Sequence, residues 1–597
     1  MEDKSKKTVN KRKSTKKGQI ITFLITIVII VLANVIGRYK FTRFDLTSEK
    51  RYTLSPTTKE MLKKLDDYVY FKVYLDGNDL PAEYKKLSRE IKEMLDEFRA
   101  YSNYIEYEFI NPGEGDNNTE INEKYTQLNQ AGLDPVPWEN QGSDGSLKQM
   151  WIWPGALVSY RNNTEIAVNF FEKQNGQPDE EALNASIDNL ELNLIEAIKK
   201  VTRLEKPKIA FTEGHGELTD EELQGAAQVL SSNYNLSRQA LNGQIDALMH
   251  RTQDTTRDVR AFLSYDAIVI AKPTQPFDEK DKFLIDQYIM HGGKVLWLVE
   301  PVYATMDSLQ DKDITTAIDL NLNLDDMLFK YGVRLNRDLL LDLTCAYVPI
   351  VTGQAGGRPK FDYFPWYYFP LLKAASDHPI VRNMNGIRAD FISSLDATTS
   401  AIGIQQVPLL KTSSYTKVSG VPGSIMLDMM RVKPNEKMFN LKDGKIVGYL
   451  LKGTFQSNYA NRIPQEIVDD QATDFMSESV PTAMIVVTDG DIIRNQFDGK
   501  TGAALPLGYD KYTKITYTNK DFIENAISYL VDGEDMIDVR SRKFTIRPLD
   551  TKKVKEERVK WQVINTVIPS SLIIILGLVL AFIRKEKYSK TIHHEKK

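Results

Sequence analysis

Cysteine is almost absent from this sequence, since Cys345 is the only one among 597 residues. A single thiol excludes a disulfide within the chain and excludes CxxC metal or redox motifs. The sequence also lacks the GxxxxGK(S/T) phosphate loop, the HExxH zinc motif and the GxSxG nucleophile elbow. We therefore expect no catalytic residue, no metal site and no cofactor, and any ATP hydrolysis must come from a partner subunit.

The net charge of the whole chain is small, −4, but it is distributed unevenly. Residues 1–18 hold eight Lys or Arg against two acidic residues, and residues 584–597 hold six against two. The residues between these two basic tails include 63 basic and 77 acidic side chains, a net charge of −14. An acidic body repels the phosphate backbone, so we expect no nucleic-acid partner.

The first uncharged run, GQIITFLITIVIIVLANVIG, lies between Lys17 and Arg38. Its length suits a bilayer core of ~30 Å, which predicts a transmembrane helix over 19–37. A cleaved signal peptide is the alternative, because a basic segment precedes the run. The run is longer than a typical signal-peptide core and no small-x-small cleavage site follows it, so a retained anchor is favoured.

A second uncharged run, WQVINTVIPSSLIIILGLVLAFI, predicts another transmembrane helix over 561–583. Both tails are basic, so the positive-inside rule places 1–18 and 584–597 in the cytoplasm and the body in the periplasm. The predicted location is the inner membrane, with two passes through the lipid bilayer. Five basic residues between 552 and 560 lie on the supposed outer side, which leaves the reverse orientation as the alternative.

Residues 38–204 have the pattern of a small α/β domain. Alternating side chains over 69–75 and 105–109 predict two strands, and apolar residues on one face of 87–98 predict the helix between them. This β-α-β order is typical of a thioredoxin-like or similar α/β layer. The segment 111–149, rich in Gly, Asn and Asp, is predicted to be a loop interrupted by a short helix.

Residues 205–535 have the pattern of a doubly wound α/β domain with a parallel sheet. Its strands are predicted at 208–212, 235–240, 266–273, 294–301 and 483–491. Residues 302–475 fit this pattern less well and are predicted to be an insertion, followed after the domain by a juxtamembrane linker over 536–560. The predicted fold class is α/β, with two terminal transmembrane helices flanking the body.

Two short segments place carboxylates where a doubly wound fold binds ligands. Glu213, His215 and Glu217 lie in the loop EGHGE, between a strand and a helix start. Asp489 and Asp491 follow another buried strand. We interpret these five residues as candidate ligand-binding groups. A tight turn with a polar lip and a DG turn before a helix are the alternatives.

The run FDYFPWYYFP, at 361–370, consists almost entirely of aromatic residues and proline. Such a run forms a sticky patch if all of it faces solvent. It either packs between domains or contacts a partner or the membrane surface. The candidate contact residues are Phe361, Tyr363, Phe364, Trp366, Tyr367 and Tyr368.

Several segments together carry a resemblance to a known family. They are RFDLTSEKRYTLSPTTKEMLKKL, VYFKVYLDG, EIKEMLDEFRAYS with IEYEFINP, SIDNLELNLIEAIKKV, IAFTEGHGE and the terminal apolar run. They resemble the GldG family, the auxiliary components of the gliding-motility ABC transporter of Bacteroidetes. The resemblance extends over essentially the whole chain and is most specific over Arg43–Pro112.

The resemblance implies a complex with a separate membrane permease and a cytoplasmic ATP-binding subunit, and a substrate-binding type of role. It also implies a glutamine-amidotransferase-like fold, but Cys345 lies outside any strand–turn–helix elbow that could present a nucleophile. We therefore expect a non-catalytic auxiliary subunit whose body acts as a receptor or coupling arm. A structural linker to the gliding or secretion machinery and a hydrolase or transferase are the alternatives. A homo-oligomer is compatible with the sequence.

Overall fold

The protein is described by a computed structural model. It describes residues 21, 23–29, 31–32, 53–115, 117–141, 147–161, 165–171, 179–203, 205–253, 259–309, 312–355, 357–382, 384–399, 401–430, 434–460, 462, 474–533 and 551–593. The chain divides into two compact units, Met1–Lys543 and Phe544–Lys597.

The α-helices are α1 Pro56–Lys63, α2 Ala82–Tyr101, α3 Asn118–Gln130, α4 Asp179–Asp188, α5 Leu190–Thr202, α6 Asp220–Leu230, α7 Glu279–Met290, α8 Asp325–Tyr331, α9 Asn519–Asp532 and α10 Thr551–His593. The strands up to the central parallel sheet are β1 Val69–Val73, β2 Ile105–Phe109, β3 Val136–Gln141, β4 Leu147–Ile152, β5 Gly155–Tyr160, β6 Ile166–Asn169, β7 Lys208–Glu213, β8 Asn235–Ala240, β9 Met249–Gln253, β10 Val259–Leu263, β11 Ala267–Ala271 and β12 Val295–Leu298. The remaining strands are β13 Val302–Tyr303, β14 Ile314–Asp319, β15 Val333–Leu335, β16 Asp338–Asp342, β17 Cys345–Ala355, β18 Arg358–Ala374, β19 Asn385–Arg388, β20 Leu395–Ala397, β21 Ile404–Lys411, β22 Thr416–Gly420, β23 Gly423–Met426, β24 Ile446–Gly453 and β25 Thr482–Val487.

The N-terminal layer is a four-stranded sheet in the order β2-β1-β5-β6. Strands β1 and β2 are parallel and flank α2 in sequence, so the predicted β-α-β unit is present. Strands β5 and β6 extend the sheet in antiparallel fashion. Every second residue of β1 is buried, and these side chains pack with the apolar faces of α2 and α5 into one core.

The central sheet contains five parallel strands in the order β8-β7-β11-β12-β25. Numbered along the chain, this order is 2-1-3-4-5, with the topological switch point between β7 and β11. The strands β11 and β12 are buried at every position, as expected for strands covered on both faces. Separate apolar cores lie on the two sides of the sheet. The predicted α/β class is confirmed.

Residues 302–475 add antiparallel strands to the same sheet. Strand β24 pairs with β25, and β21, β18 and β17 follow outward to the edge. This segment therefore continues the sheet of the parallel domain, in addition to forming smaller two- and three-stranded sheets of its own. Sequence spacing alone does not reveal this pairing, because the partners β24 and β25 are separated by a long connection.

Local sequence sets the ends of the helices. Thr219 and Glu222 form a reciprocal capping box at the start of α6, where the Thr219 hydroxyl accepts from the Glu222 backbone N–H. Asp278 caps α7 in the same position. Helix α9 ends at Gly533, whose φ of 85° lies in the left-handed region that glycine adopts without strain.

Two expectations for local structure are wrong. The segment 111–149 was expected to be a loop around a short helix, but after α3 its chain enters the hairpin β3–β4. The six aromatic contact candidates also divide, because Trp366, Tyr367 and Tyr368 are at most 6% exposed. These three side chains belong to an apolar core of the domain and cannot form a partner or membrane surface.

The second unit contains the long helix α10, which continues through Pro569. Its segment Lys560–Ile583 has a mean hydropathy of 2.6, and none of it is buried within the protein. This segment is long and apolar enough to cross a membrane. In the first predicted span, the described residues 21, 23–29 and 31–32 are helical and exposed, and the other residues of 19–37 lie outside the described part of the chain.

Candidate functional site

Polar residues lie just after three parallel strands of the central sheet, at its carboxyl edge. Lys272 follows β11, Glu300 lies just beyond β12, and Asp489 lies just beyond β25. Because these strands are neighbours and parallel, their carboxyl ends meet at the same edge. The edge therefore gathers residues from three distant parts of the sequence into one cluster.

Lys272 is the centre of this acidic cluster. Its ammonium group forms an ion pair with Asp491 and lies 3.1 Å from the Glu300 carboxylate. Glu300 also accepts a hydrogen bond of 3.0 Å from the backbone N–H of Gly490. Asp489 is fully buried and accepts from the backbone N–H groups of Asp491, at 2.8 Å, and Asp390, at 3.3 Å. The loop after β25 is thus held against the ends of β11 and β12.

Burial changes the protonation of these carboxyl groups. It raises the pKa of Glu300 to about 7, although Lys272 acts in the opposite direction. Burial and the neighbouring Asp491 also raise the pKa of Asp489. For Asp491, burial is outweighed by contact with Lys272, which lowers its pKa. Because the three acids interact strongly, their protonation is coupled, and burial favours a proton on Glu300 or Asp489 over one on Asp491.

Glu300, Asp489 and Asp491 each offer a carboxylate oxygen within 4.8 Å of the others, as the ligands of a divalent cation do. The ammonium of Lys272 already lies against two of the three. The protein therefore supplies a cation to this cluster from its own chain.

A cavity of about 350 Å³ opens beside the cluster, with Asp491 in its wall. Arg388 also lines it and forms ion pairs of 3.1 Å with Asp390 and 3.2 Å with Asp510. Arg494 lies 3.3 Å from Asp491 in the same wall. The aromatic side chains of the lining are Tyr347, Phe369, Phe497, Tyr509 and Tyr512. The cavity has the size of a small-molecule site and combines apolar rings with fixed polar groups.

Asn495 provides a further polar group in this lining. Its side chain is 2% exposed, and its carbonyl oxygen accepts from the backbone N–H of Gly225 at 2.9 Å. Its amide nitrogen has no hydrogen-bond partner among the described residues. Asn495 therefore fixes this part of the cavity wall to α6 through its bond to Gly225.

The predicted residues His215 and Glu217 form a second cluster, in the loop after β7. The imidazole nitrogens lie 3.3 Å from Glu217 and 3.2 Å from Asp281, which belongs to the first turn of α7. The ring stacks on Phe277 with 3.7 Å between centroids. Burial alone would raise the pKa of Glu217, but hydrogen bonds from His215 lower it. His215 thus connects the loop to α7.

The same loop also bonds to the chain that follows β11, across the switch point between β7 and β11. The backbone carbonyl of His215 accepts hydrogen bonds of 2.9 and 2.8 Å from the N–H groups of Thr274 and Gln275, which follow β11. Glu213 has a different partner, because its carboxylate oxygen accepts from the Arg238 guanidinium at 2.6 Å. The structure therefore separates the five predicted residues. Asp489 and Asp491 share the acidic cluster, His215 and Glu217 share the loop cluster, and Glu213 pairs with β8.

Cys345 lies at the start of β17 and is 6% exposed. Burial raises the pKa of its thiol to about 12. A thiol at this pKa stays protonated at neutral pH, whereas nucleophilic cysteines need a lowered pKa. The expectation that Cys345 is no nucleophile agrees with this environment.

Sequence reasoning missed Lys272 and Glu300, although the signal was present. Both follow buried apolar strands, in DAIVIAKP and KVLWLVEP, as Asp489 does in AMIVVTDGD. The rule that a polar residue just beyond a buried parallel strand faces the ligand edge would have selected them. No comparable signal marks Arg388 and Asp390, because they come from the segment that joins the sheet by antiparallel pairing.

Residues 206–526 match the family described as ABC-type uncharacterized transport system, and they make up more than half of the chain. The chain belongs to this family. The family comprises auxiliary components of ABC transport systems, so the coarse expectation of an auxiliary component of such a system is confirmed. Residues 48–159 match a separate domain of unknown function.

A relative from Borreliella burgdorferi, named an uncharacterized protein, is 20% identical over 575 residues, which cover 95% of this chain and 98% of the relative. Among the similar solved structures, the mmIFT52 N-terminal domain is 12% identical with a TM-score of 0.30, and the match covers 55% of this chain and 98% of that one. A ThuA-like protein from Parabacteroides merdae is 9% identical with a TM-score of 0.25, covering 58% and 94%.

Proposed function

We propose that this protein is a membrane-attached receptor subunit of an ABC transport complex, with a permease and a cytoplasmic ATP-binding subunit as its partners. Its body binds a ligand in the cavity beside the acidic cluster, and ligand binding in the body then changes the activity of the permease. The family membership supports the auxiliary role. The cavity, with ion pairs and aromatic rings in its lining, favours a receptor over a purely structural linker.

The clusters at the sheet edge support a non-catalytic role. His215 is held between two carboxylates and stacked on Phe277, and Lys272 is held between Glu300 and Asp491. A general base needs access to a substrate proton. These groups are instead committed to contacts within the protein, which fix loops around the cavity. In this proposal the energy for transport comes from ATP hydrolysis by the partner subunit, because the sequence has no phosphate loop.

For membrane attachment, the proposal relies on the apolar segment Lys560–Ile583 of α10 and on the uncharged run at 19–37. We propose that both cross the inner membrane, with both basic tails in the cytoplasm and the body in the periplasm. The residues 38–204 and 205–535 form the two body domains in this proposal. Gliding motility is the proposed process, on the resemblance over Arg43–Pro112.

Purification of the tagged full chain from its own membranes in mild detergent tests the assembly. We expect a polytopic permease and a GxxxxGK(S/T) ATPase in constant ratio to the chain. A control variant replaces Lys560–Ile583 with an unrelated apolar segment of equal length, which preserves attachment but removes specific helix packing. Recovery of the wild-type chain without either partner, also after cross-linking in the membrane, would contradict the proposal.

A cavity-filling variant separates the receptor from the structural linker. Gln496→Trp places an indole in the cavity, and we expect it to abolish ligand-dependent stimulation of the partner ATPase while the complex still assembles. Gln456→Trp, which makes the same change in a different cavity, is the matched control. Equal ATPase activity in the two variants would favour the linker.

Normal surface movement of cells that lack the chain would remove the gliding assignment alone.

A further inference from the structure

The hairpin β17–β18 carries an apolar face at the outer edge of the central sheet. Residues directly opposite each other in an antiparallel pair point to the same side of the sheet. Three alternate pairs of this hairpin, which therefore share one side, are Tyr347 with Pro365, Pro349 with Tyr363, and Val351 with Phe361. All six side chains are apolar or aromatic, and we call them the aromatic face.

The aromatic face is exposed, whereas the opposite side of the hairpin is packed. Tyr347, Val351, Phe361 and Tyr363 are between 48% and 54% exposed. On the other side, Val348 belongs to the apolar core, and Ile350 and Phe364 pack against it. A strand pair that packs on one side normally exposes polar residues on the other, so an exposed apolar face indicates a binding surface.

The size and shape of the face disfavour a protein partner. Aromatic side chains bury 150–250 Å² each, so half-exposed rings and three smaller side chains offer on the order of 400 Å², about half of what each partner buries in a stable protein interface. Strand addition to β17 is also hindered. Pro349 lacks a backbone N–H, and the register shifts between Cys345 and Tyr347 and between Val351 and Gly353.

A loop with two lysines contacts the aromatic face, although the body as a whole is acidic. Tyr363 donates a hydrogen bond of 3.0 Å to the backbone carbonyl of Tyr512, in a loop that also carries Lys511 and Lys514. Lys511 lies over the Tyr512 ring at 5.1 Å from the centroid, and Tyr512 is itself 46% exposed. On the hairpin, Lys360 beside Phe361 is exposed but forms an ion pair of 3.2 Å with Asp362, so the positive charge of this region comes from Lys511 and Lys514. Positive charge next to exposed rings complements the anionic headgroups and the interfacial zone of a bilayer.

We propose that the aromatic face rests on the surface of an anionic lipid bilayer, with its rings in the interfacial zone and Lys511 and Lys514 among the headgroups. This inference relies on the proposed attachment of the chain to a membrane. Once α10 is in the bilayer, the high local concentration of lipid makes a small additional contact effective. The contact would fix the orientation of the body relative to the bilayer. It would also fix the position of the cavity, because Tyr347 and Pro349 belong to its wall.

Site-specific labelling of the full chain in vesicles tests this contact. Phe361→Cys, Leu576→Cys and Ile402→Cys each introduce one accessible thiol for an environment-sensitive fluorophore, and the vesicles contain anionic lipid and spin-labelled lipid as a quencher. The native Cys345 is buried, so the unmodified chain gives the labelling background. Ile402 is 92% exposed and serves as the solvent control. We expect quenching at 361 and 576 and none at 402.

Each outcome has a separate meaning. Quenching at 576 without quenching at 361 overturns the lipid contact but leaves membrane attachment intact. Absence of quenching at 576 overturns attachment, and the proposed function with it. Emission at 361 that changes only when partner subunits are added assigns the face to a protein and overturns the proposal. Val351→Cys repeats the measurement on the same face if Phe361→Cys folds poorly.

The charges provide a second, independent test. Lys511→Gln and Lys514→Gln should each lower the ratio of quenched to unquenched label at 361 roughly fivefold in anionic vesicles, because one lysine near such a surface has about this effect. Neutral vesicles should abolish the difference. Lys92→Gln, at an exposed position of α2, is the matched control. Equal quenching in neutral and anionic vesicles would overturn the role assigned to the lysines.

Discussion

Lys199 of α5 donates to Asp532, the last residue of α9, with 2.7 Å between the ammonium nitrogen and the carboxylate oxygen. This pair joins the N-terminal layer to the domain of the central sheet. Arg203 forms an ion pair with the same carboxylate, and Tyr234 donates to it at 3.0 Å. A negative charge at the C-terminal end of a helix is unfavourable by itself, and Lys199 of α5 and Arg203, which follows α5, offset it.

Replacement of Asp532 should separate these two domains without unfolding either. Asp532 is 6% exposed in its side chain and Lys199 is 14% exposed, so Asp532→Asn leaves a largely buried ammonium without its counterion. Breaking such a pair costs about 3 kcal/mol. We expect faster proteolysis in the connecting residues 203–207, whereas Asp521→Asn on the exposed first turn of α9 should leave the rate unchanged. Equal rates in the two variants would show that other contacts hold the junction.

Lys272 should be essential for the stability of the sheet edge. Lys272→Met removes the cation from Glu300 and Asp491 and leaves buried carboxylates without compensation, at a cost of about 3–5 kcal/mol. Urea unfolding at pH 7 measures the loss. Lys280→Met, at an exposed position of α7, is the control and should stay within about 0.5 kcal/mol of wild type. A small effect of Lys272→Met would mean that the acids simply take up protons.

Glu300 should make the protein less stable as the pH rises. Its pKa is raised from 4.5 to about 7 in the folded protein by burial, so the folded state binds the proton more tightly than the unfolded state. Its contribution is complete below pH 4.5 and is lost as the pH rises through about 7. Glu300→Gln keeps the shape without titrating. The free energy of unfolding should therefore fall between pH 5 and pH 8 by on the order of 2–3 kcal/mol more in wild type than in Glu300→Gln.

Short, local patterns were sufficient to predict the parallel part of the fold. Four of the five parallel strands, β7, β11, β12 and β25, are mostly buried apolar runs with Gly, Pro or a carboxylate within three residues of their ends. Strand β8 is mostly polar and was predicted from its position after the helix α6. The residues 302–475 could not be predicted in this way, because β24 reaches its place by pairing with β25 across a long stretch of chain. Antiparallel addition to a parallel sheet leaves no periodic signal that differs from that of a separate domain.

The candidate site was also predictable only where its residues follow the parallel strands. Strand ends identified Asp489, Asp491 and the loop of His215, because the carboxyl edge of a parallel sheet follows from the order of strands and helices. Contacts between distant residues could not be read from the sequence. Asp281 meets His215 only because the first turn of α7 packs against the loop after β7. The outward direction of Phe361 and the burial of Trp366 likewise depend on pairing register, since a shift of one residue exchanges the two faces.

His215 provides the sharpest distinction between a structural and a catalytic role. His215→Ala removes the partner of Glu217 and Asp281 and the ring that stacks on Phe277, so we expect a loss of about 2–4 kcal/mol in the free energy of unfolding. At a temperature where the variant remains folded, its complex should assemble and function normally, because no step depends on the imidazole. His250→Ala, at an exposed histidine of the hairpin β9–β10, controls for loss of a ring at the surface. A folded, fully assembled His215→Ala complex without activity would instead make His215 a catalytic residue, and the auxiliary role proposed for the protein would have to include an enzymatic step.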